Sequence, residues 1–420
     1  GLTYIEALAS GLPVVARRDP CLDGVLFEGK NGYEFLDEDS FVKGMDKVLR
    51  NPQGIDYSKN AMASAEPFST QQFADKVENI YFHVIKTHRN ILMRMANKVA
   101  GTVGFESKSV KPLGGEMAME LGDSNMDASR IGLGCMRMAD MSVQEVSKLI
   151  NIALDNGVNL FDHADIYGAG RSEEVFGKAL AENKGMRERM RIQTKCGIRD
   201  GYYDFSAAHI LSSVDDSLRR LQTEYIDLLL LHRPDALMDV EEVADTLHQL
   251  QRTGKVRRFG VSNFTSAQIE LLQSVCKVPI QVNQMQFGLM HAGMIQQGLE
   301  ANMLTDGAAS RDMAVLDYCR LHNITIQAWS PLQYGFFEGS FIDNEKFPEV
   351  NDVLGRIAEE RHVTKSAIAI AWILRHPAQM QVLAGTMNPE HLVQLCESVN
   401  IILSRKEWYE LYRAAGYILP

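Results

Sequence analysis

Between residues 131 and 385 one unit recurs along the chain: a short apolar run, a polar or glycine-containing stretch, then apolar residues at helical spacing. The runs start at Ile131 (IGLG), Val158 (VNLFD), Arg191 (RIQTK), Ile226 (IDLLLL), Phe259 (FGVS), Ile280 (IQVN), Thr325 (TIQAW) and Val382 (VLAG). Short continuous apolar runs are strands buried on both faces, and strands that alternate with helices pair in parallel. The first intervening helix is expected over 143–156, where Val143, Val146, Leu149, Ile150, Ala153 and Leu154 form one apolar face. Eight such units in about 290 residues match a (β/α)8 TIM barrel in count and length. The competing α/β architecture, an open doubly wound sheet, more often carries G-x-G-x-x-G after its first strand, and that pattern is absent there.

A barrel of this kind does its chemistry at the C-terminal ends of its strands. Here those ends are polar. The second run ends in Asp162, with Tyr167 following in DHADIYGAGRSEE; the third ends in Lys195 (IQTKCG) and the fourth delivers His232 (LLLLHRPD). Ser262 and Asn263 (FGVSNF), Asn283 and Gln284, then Trp329, Ser330 and Pro331 close the later runs. Each has an ordinary reading: Asp162 as a cap, Lys195 as a snorkelling surface residue, His232 as near-core, Tyr167 as packing and Trp329 as rim. On successive strands of one mouth, they form a proton-transfer device around a phenol. A neighbouring ammonium favours the phenolate, so Lys195 is expected to lower the Tyr167 pKa from about 10 while Asp162 keeps Lys195 charged.

The motifs GVNLFDHADIYG, IQTKCG, DLLLLHRPD, GKVRRFGVSNF, VNQMQF and IQAWSPL, in that order, make residues 111–420 resemble an aldo-keto reductase. The resemblance implies reduction of an aldehyde or ketone by a nicotinamide dinucleotide, with Asp162, Tyr167, Lys195 and His232 as the catalytic tetrad. Tyr167 would protonate the oxygen, Lys195 and Asp162 would tune it, and His232 would orient the carbonyl. It further implies that Ser262, Asn263 and Gln284 hold the carboxamide and Trp329 stacks on the nicotinamide. Ser330, Pro331 and Leu332 would run along the pyrophosphate, with Cys135 and Met136 lining the pocket. Gly385, Thr386, Asn388 and His391 fall in the phosphate segment, with Asn388 as N-cap and Pro389 at the first helical position. Relatives usually place an arginine or lysine in that segment for the adenosine 2′-phosphate; here Met387, Asn388 and His391 stand instead. NADP is the expected cofactor, with NAD admissible for want of that cation.

Residues 1–98 belong to another pattern. A helix is expected over 3–10, a buried strand at Val14, Val15 and Ala16, a turn at Lys30, Asn31, Gly32 and Tyr33, and helices over 41–49 and from Ser69 onward, the last with Gln72 completing a capping box. GLTYIEALASGLPVVARRDP and the later NGYEF resemble the nucleotide-sugar half of GT-B glycosyltransferases, a partial Rossmann-like piece. Glu6 would match the second glutamate of that family's donor motif; the first would precede residue 1, and no transferase activity is expected. Residues 99–125, rich in glycine and serine, read as a linker ending in a small hairpin, and 126–420 as the barrel.

A net charge of −11 excludes the usual nucleic-acid binder. The longest apolar run, 367–374, is far short of the roughly 20 residues of a membrane span. The cysteines are scattered without metal-ligand or disulfide spacing, so a cytoplasmic protein without a metal is expected. The first reading is therefore a reductase of small carbonyl compounds, with docking as a use for the N-terminal segment. Two others stand beside it: a cofactor-binding partner subunit with little turnover, and a bifunctional fusion with a glycosyltransferase.

Overall fold

A computed structural model describes residues 2–19, 22–65, 116–336 and 338–419. The chain forms two compact units, residues 1–110 and 111–420. The expected helix from Ser69 and most of the expected linker lie outside the described residues, as does the side chain of Glu6.

In the first unit a helix, Leu2–Ala9, precedes strand β1, Val14–Arg17, which pairs in parallel with β2, Gly32–Phe35. The NGYEF segment is therefore not all turn: the turn ends at Asn31 and a strand begins at Gly32. Only glycine fits there, because a Cβ on Gly32 would lie 1.9 Å from the Val14 carbonyl oxygen. Helix Glu38–Arg50 starts earlier than the apolar spacing indicates, because Asp37 and Ser40 cap it reciprocally. A further helix, Tyr57–Ala65, has too weak an apolar stripe to announce itself, yet buries Tyr57, Ala61 and Ala65.

The second unit opens with an antiparallel hairpin, β3 (Ala118–Glu120) and β4 (Asp127–Ser129). Eight parallel strands then close on themselves. They are β5 (Ile131–Gly134), β6 (Leu160–Asp162), β7 (Arg191–Cys196), β8 (Ile226–Leu231), β9 (Val256–Ser262), β10 (Ile280–Gln286), β11 (Thr325–Trp329) and, after a short hairpin of β12 (Gln333–Tyr334) and β13 (Gly339–Ser340), β14 (Gln381–Ala384). The first helix outside them, Val143–Asp155, is capped by Ser142 and Glu145. Leu121, Met126 and Ala128 of the hairpin region pack with Leu160, Leu228, Leu230, Val282 and Leu383, so the hairpin closes the barrel floor and the opposite end stays available. The larger apolar cluster lies between strands and helices and includes Val146, Leu149, Ile192, Leu229 and Val261.

Candidate active site

The C-terminal ends of the strands open on a cavity of about 860 Å³, within the usual range for small-molecule sites. Strand alternation decides what reaches it. Asp162 is the last residue of β6, and Lys195 stands on β7, next to it in the barrel. Tyr167 arrives from the loop after β6, where Gly168 and Ala169 take left-handed backbone (φ 57° and 56°). A Cβ on Gly168 would lie 2.4 Å from Ala139, so this tight corner, which aims the phenol inward, requires glycine.

Lys195 is fully buried. Its Nζ donates to Asp162 Oδ2 at 2.8 Å, to the His163 carbonyl oxygen at 2.8 Å and to Tyr167 Oη at 3.0 Å. An ammonium has three hydrogens, so all are used. The phenol oxygen accepts from Lys195 and keeps its own hydrogen for another acceptor. Burial takes from Lys195 what the Asp162 carboxylate and Tyr167 more than restore, and its pKa is raised, keeping it charged.

The Tyr167 phenol departs from the sequence expectation. Lys195 does pull its pKa down, but loss of water outweighs that pull and the net shift is upward. Tyr167 is therefore a protonated phenol at neutral pH. The His232 ring lies edge-on to Tyr167 with centroids 6.1 Å apart. Burial first, then the charges of Lys195 and Arg233, hold its pKa well below 6.5, so the imidazole is neutral. Its Nδ1 is buried without a partner among the described residues.

The other expected site residues divide. Trp329 Nε1 donates to Asn263 Oδ1 at 3.2 Å, Asn263 Nδ2 to Ser262 Oγ at 2.9 Å, and Ser262 Oγ to the Gln284 carbonyl at 3.1 Å. Asn263 and Ser330 hold left-handed backbone, φ 60° and 48°, the kind of strain that concentrates at functional sites. Met136, Pro331, Leu332, Gly385 and Thr386 also line the cavity. Cys135 does not: it falls on the outward side of the alternation and is buried in the strand–helix core. Asn388 caps helix Pro389–Cys396 with its side chain, as expected, but neither it nor His391 lines the cavity. Gln284 reaches the cavity, yet both its amide hydrogens turn into the barrel, toward Asp162 Oδ1 at 3.2 Å and Gln327 Oε1 at 3.1 Å.

Arg137 and Arg233 also line the cavity and were not singled out from sequence; Arg137 Nη1 donates to the Gly385 carbonyl at 2.8 Å. An arginine directly after the His232 run was the available signal for Arg233. Nothing local marks Arg137, which meets Gly385 only because β14 and β5 are neighbours.

The model of the Aldo/keto reductase family matches residues 130–415. The chain belongs to the aldo/keto reductase family. It is an oxidoreductase of the carbonyl-reducing kind. Among its relatives, the oxidoreductase YdhF of Escherichia coli (strain K12) is 36% identical over 304 residues, 70% of this chain and 95% of that protein. The 6-dehydroglucose reductase of Agrobacterium fabrum is also 36% identical over 304 residues, 69% of this chain and 95% of that protein. Among solved structures, an aldo-keto reductase from Klebsiella pneumoniae in complex with NADPH aligns with a TM-score of 0.57 at 26% identity, covering 71% of this chain and 94% of that one.

Proposed function

We propose that this aldo/keto reductase uses NADPH to reduce a small aldehyde or ketone, with Tyr167 as the proton donor. The observation that carries the proposal is the spent ammonium: all three Lys195 hydrogens are engaged, one by Tyr167 Oη, so the phenolic hydrogen is left for a carbonyl oxygen. The cavity's volume and the Trp329 indole on its wall suit an extended dinucleotide, and His232 Nδ1, without a partner among the described residues, marks unused polar capacity. Trp329 would stack on the nicotinamide, with Ser262, Asn263 and the carbonyl end of Gln284 at its carboxamide. Segment 330–332 and Gly385 and Thr386 would follow the phosphates. When bound, the reduced cofactor supplies the hydride.

The chain's own residues do the remainder. Neutral His232 orients the substrate oxygen. Tyr167, held by Lys195, gives that oxygen its proton, and Lys195 stabilises the phenolate left behind. Asp162 keeps Lys195 charged throughout. Tyr167→Phe is expected to lower carbonyl reduction by about 10²- to 10⁴-fold with NADPH affinity unchanged within about twofold. An unchanged rate defeats the assignment. The substrate panel should include 6-dehydroglucose, the substrate named for the Agrobacterium relative.

For the first unit, the reading is a GT-B-like remnant that docks rather than transfers, supported by EALASGLPVV and by a strand pair consistent with a Rossmann-like piece. Calorimetry with a UDP- or GDP-sugar tests it. A cytoplasmic location is supported by five described cysteines that are free and buried. Among the described residues no helix is long and apolar enough to cross a membrane.

A further inference from the structure

Small barrels of this type fill their interior with bulky branched side chains. This one carries glutamines. Gln193, Gln327 and Gln381 are fully buried and Gln284 nearly so. They come from β7, β11, β14 and β10, and β7 and β11 face each other across the closed barrel. Gln193 and Gln327 exchange hydrogen bonds across that interior, at 2.9 and 2.8 Å. Gln327 also donates to Gln381 Oε1 at 2.6 Å, and Gln381 donates to the Ser129 carbonyl, where the hairpin enters the barrel. At the other end, Gln193 Nε2 donates to Asp162 Oδ1 at 2.5 Å, beside the bond from Gln284.

Both amide hydrogens of Gln193, Gln284 and Gln327 are thereby used, and two of these groups converge on Asp162 Oδ1, which lies as close to Lys195 Nζ as Oδ2 does, both at 2.8 Å. Partly satisfied, such a file would destabilise the barrel; satisfied, it fixes geometry. We infer that Gln193 is a positioning residue: it grips one oxygen of Asp162 so that the carboxylate stays turned toward Lys195, while Gln327 holds Gln193 in place from across the barrel. The inference rests on the role proposed for Tyr167 and Lys195. A glutamine placed only to fill space would not need its hydrogens aimed at a carboxylate. A leucine would fill the same space with no polar atom to satisfy.

Gln193→Met removes the grip; Gln381→Met removes an equally buried member of the file that does not touch Asp162. Gln193→Met is expected to lower kcat roughly 10- to 100-fold, with the carbonyl KM and the NADPH Kd unchanged within about twofold. The alkaline limb of its kcat–pH profile should move to lower pH, because Lys195 keeps its proton through Asp162. Gln381→Met should lower the melting temperature and leave both kcat and that limb in place. If Gln193→Met does not fold, the double variant Gln193→Leu with Gln327→Leu replaces the reciprocal amide pair by hydrocarbon and should show the same kinetic signature. An unmoved limb with unchanged kcat in the Gln193 variant, or equal effects in the Gln381 variant, overturns the inference. Tyr167→Phe run alongside separates the two readings: inactive, it leaves only the glutamine inference at stake; fully active, it removes both.

Discussion

Two regions of the barrel bury the same chemistry and use it differently. At the mouth, Asp162 meets Lys195. Outside the sheet, between strands and helices, Glu173 meets Arg220 at 2.7 Å and Asp227 meets Arg187 at 2.7 Å. The outer pairs are closed on themselves. Glu173 takes Thr194 Oγ1 at 2.6 Å on its other oxygen, and Asp227 also accepts the Ile192 N–H at 2.9 Å and pairs with Arg257 at 3.5 Å. Their hydrogen bonds run from helix or loop to strand and stop there. The inner pair continues through Lys195 to a phenol that lines a cavity. A buried ion pair alone therefore says little about function; the decisive feature is where its hydrogen-bond chain ends.

The sharpest way to break this contrast is to cut each pair once. Lys195→Met should lower turnover by about 10³-fold, since it strips Tyr167 of the ammonium that donates to its oxygen. It should also lower stability by about 3–5 kcal/mol, because Asp162 is left buried and uncompensated. Glu173→Gln should cost stability on the same scale by orphaning Arg220, yet leave kcat within about twofold once the protein is folded. Chemical denaturation and kcat measured on the same preparations decide it. A large kcat loss in Glu173→Gln would make the outer wall part of the machinery.

The two regions also differ in how far the sequence discloses them. Strand-end identity was enough to place Asp162, Lys195 and His232 at one mouth, because a parallel barrel puts every strand's C-terminus on the same side. The period of two also contains the glutamine file: Gln193 stands two residues before Lys195, and Gln327 two before Trp329, hence on the same inward faces. That Gln193 and Gln327 bond to one another was not legible, because the pairing crosses the barrel between residues 134 positions apart. Cys135 was misplaced for the converse reason, one step out of phase with Gly134. The direction of the Tyr167 shift could not be read either, since a sequence names the neighbouring charge but not the water that has been lost.

Acid should expose a third difference, of smaller size. Burial first, and the Lys195 charge second, push the His163 pKa down to about 3. Its ring packs edge-on against Phe176, and Nε2 has no partner among the described residues. The folded pKa lies below the unfolded value of 6.5, so below pH 6.5 the unfolded chain binds a proton that the fold refuses. Stability is then lost as pH falls, by about 1.4 kcal/mol for each unit between 6.5 and 3. Asp165, pushed up to about 6 by burial, has the opposite sign, losing its contribution as pH rises from 3.8 toward 6. His163→Phe isolates the histidine. Unfolding free energies at pH 7 and 5.5 should differ by about 1.4 kcal/mol less in the variant than in the parent. An equal difference in both proteins would mean that His163 is not held neutral by the mouth.

The smallest expected effect concerns the rim. Segment 385–391 offers no lysine or arginine, yet folding brings Arg137 to the Gly385 carbonyl from the other side of the barrel seam. Among the described cavity-lining residues Asp162 is the only carboxylate, and Lys195 neutralises it, so Arg137 and Arg233 leave the cleft positive. Arg137 is exposed, and an exposed guanidinium acts on a phosphate through screened attraction. Arg137→Met should therefore raise the NADPH Kd by no more than about tenfold, near 1.4 kcal/mol, with a loss that shrinks as salt rises. If Arg137 serves the 2′-phosphate, NADH affinity stays unchanged and the NADPH preference falls; if it serves the pyrophosphate, both affinities fall together. Cofactor fluorescence titrations at two ionic strengths separate these outcomes, and no change for either dinucleotide would confine Arg137 to holding the Gly385 loop.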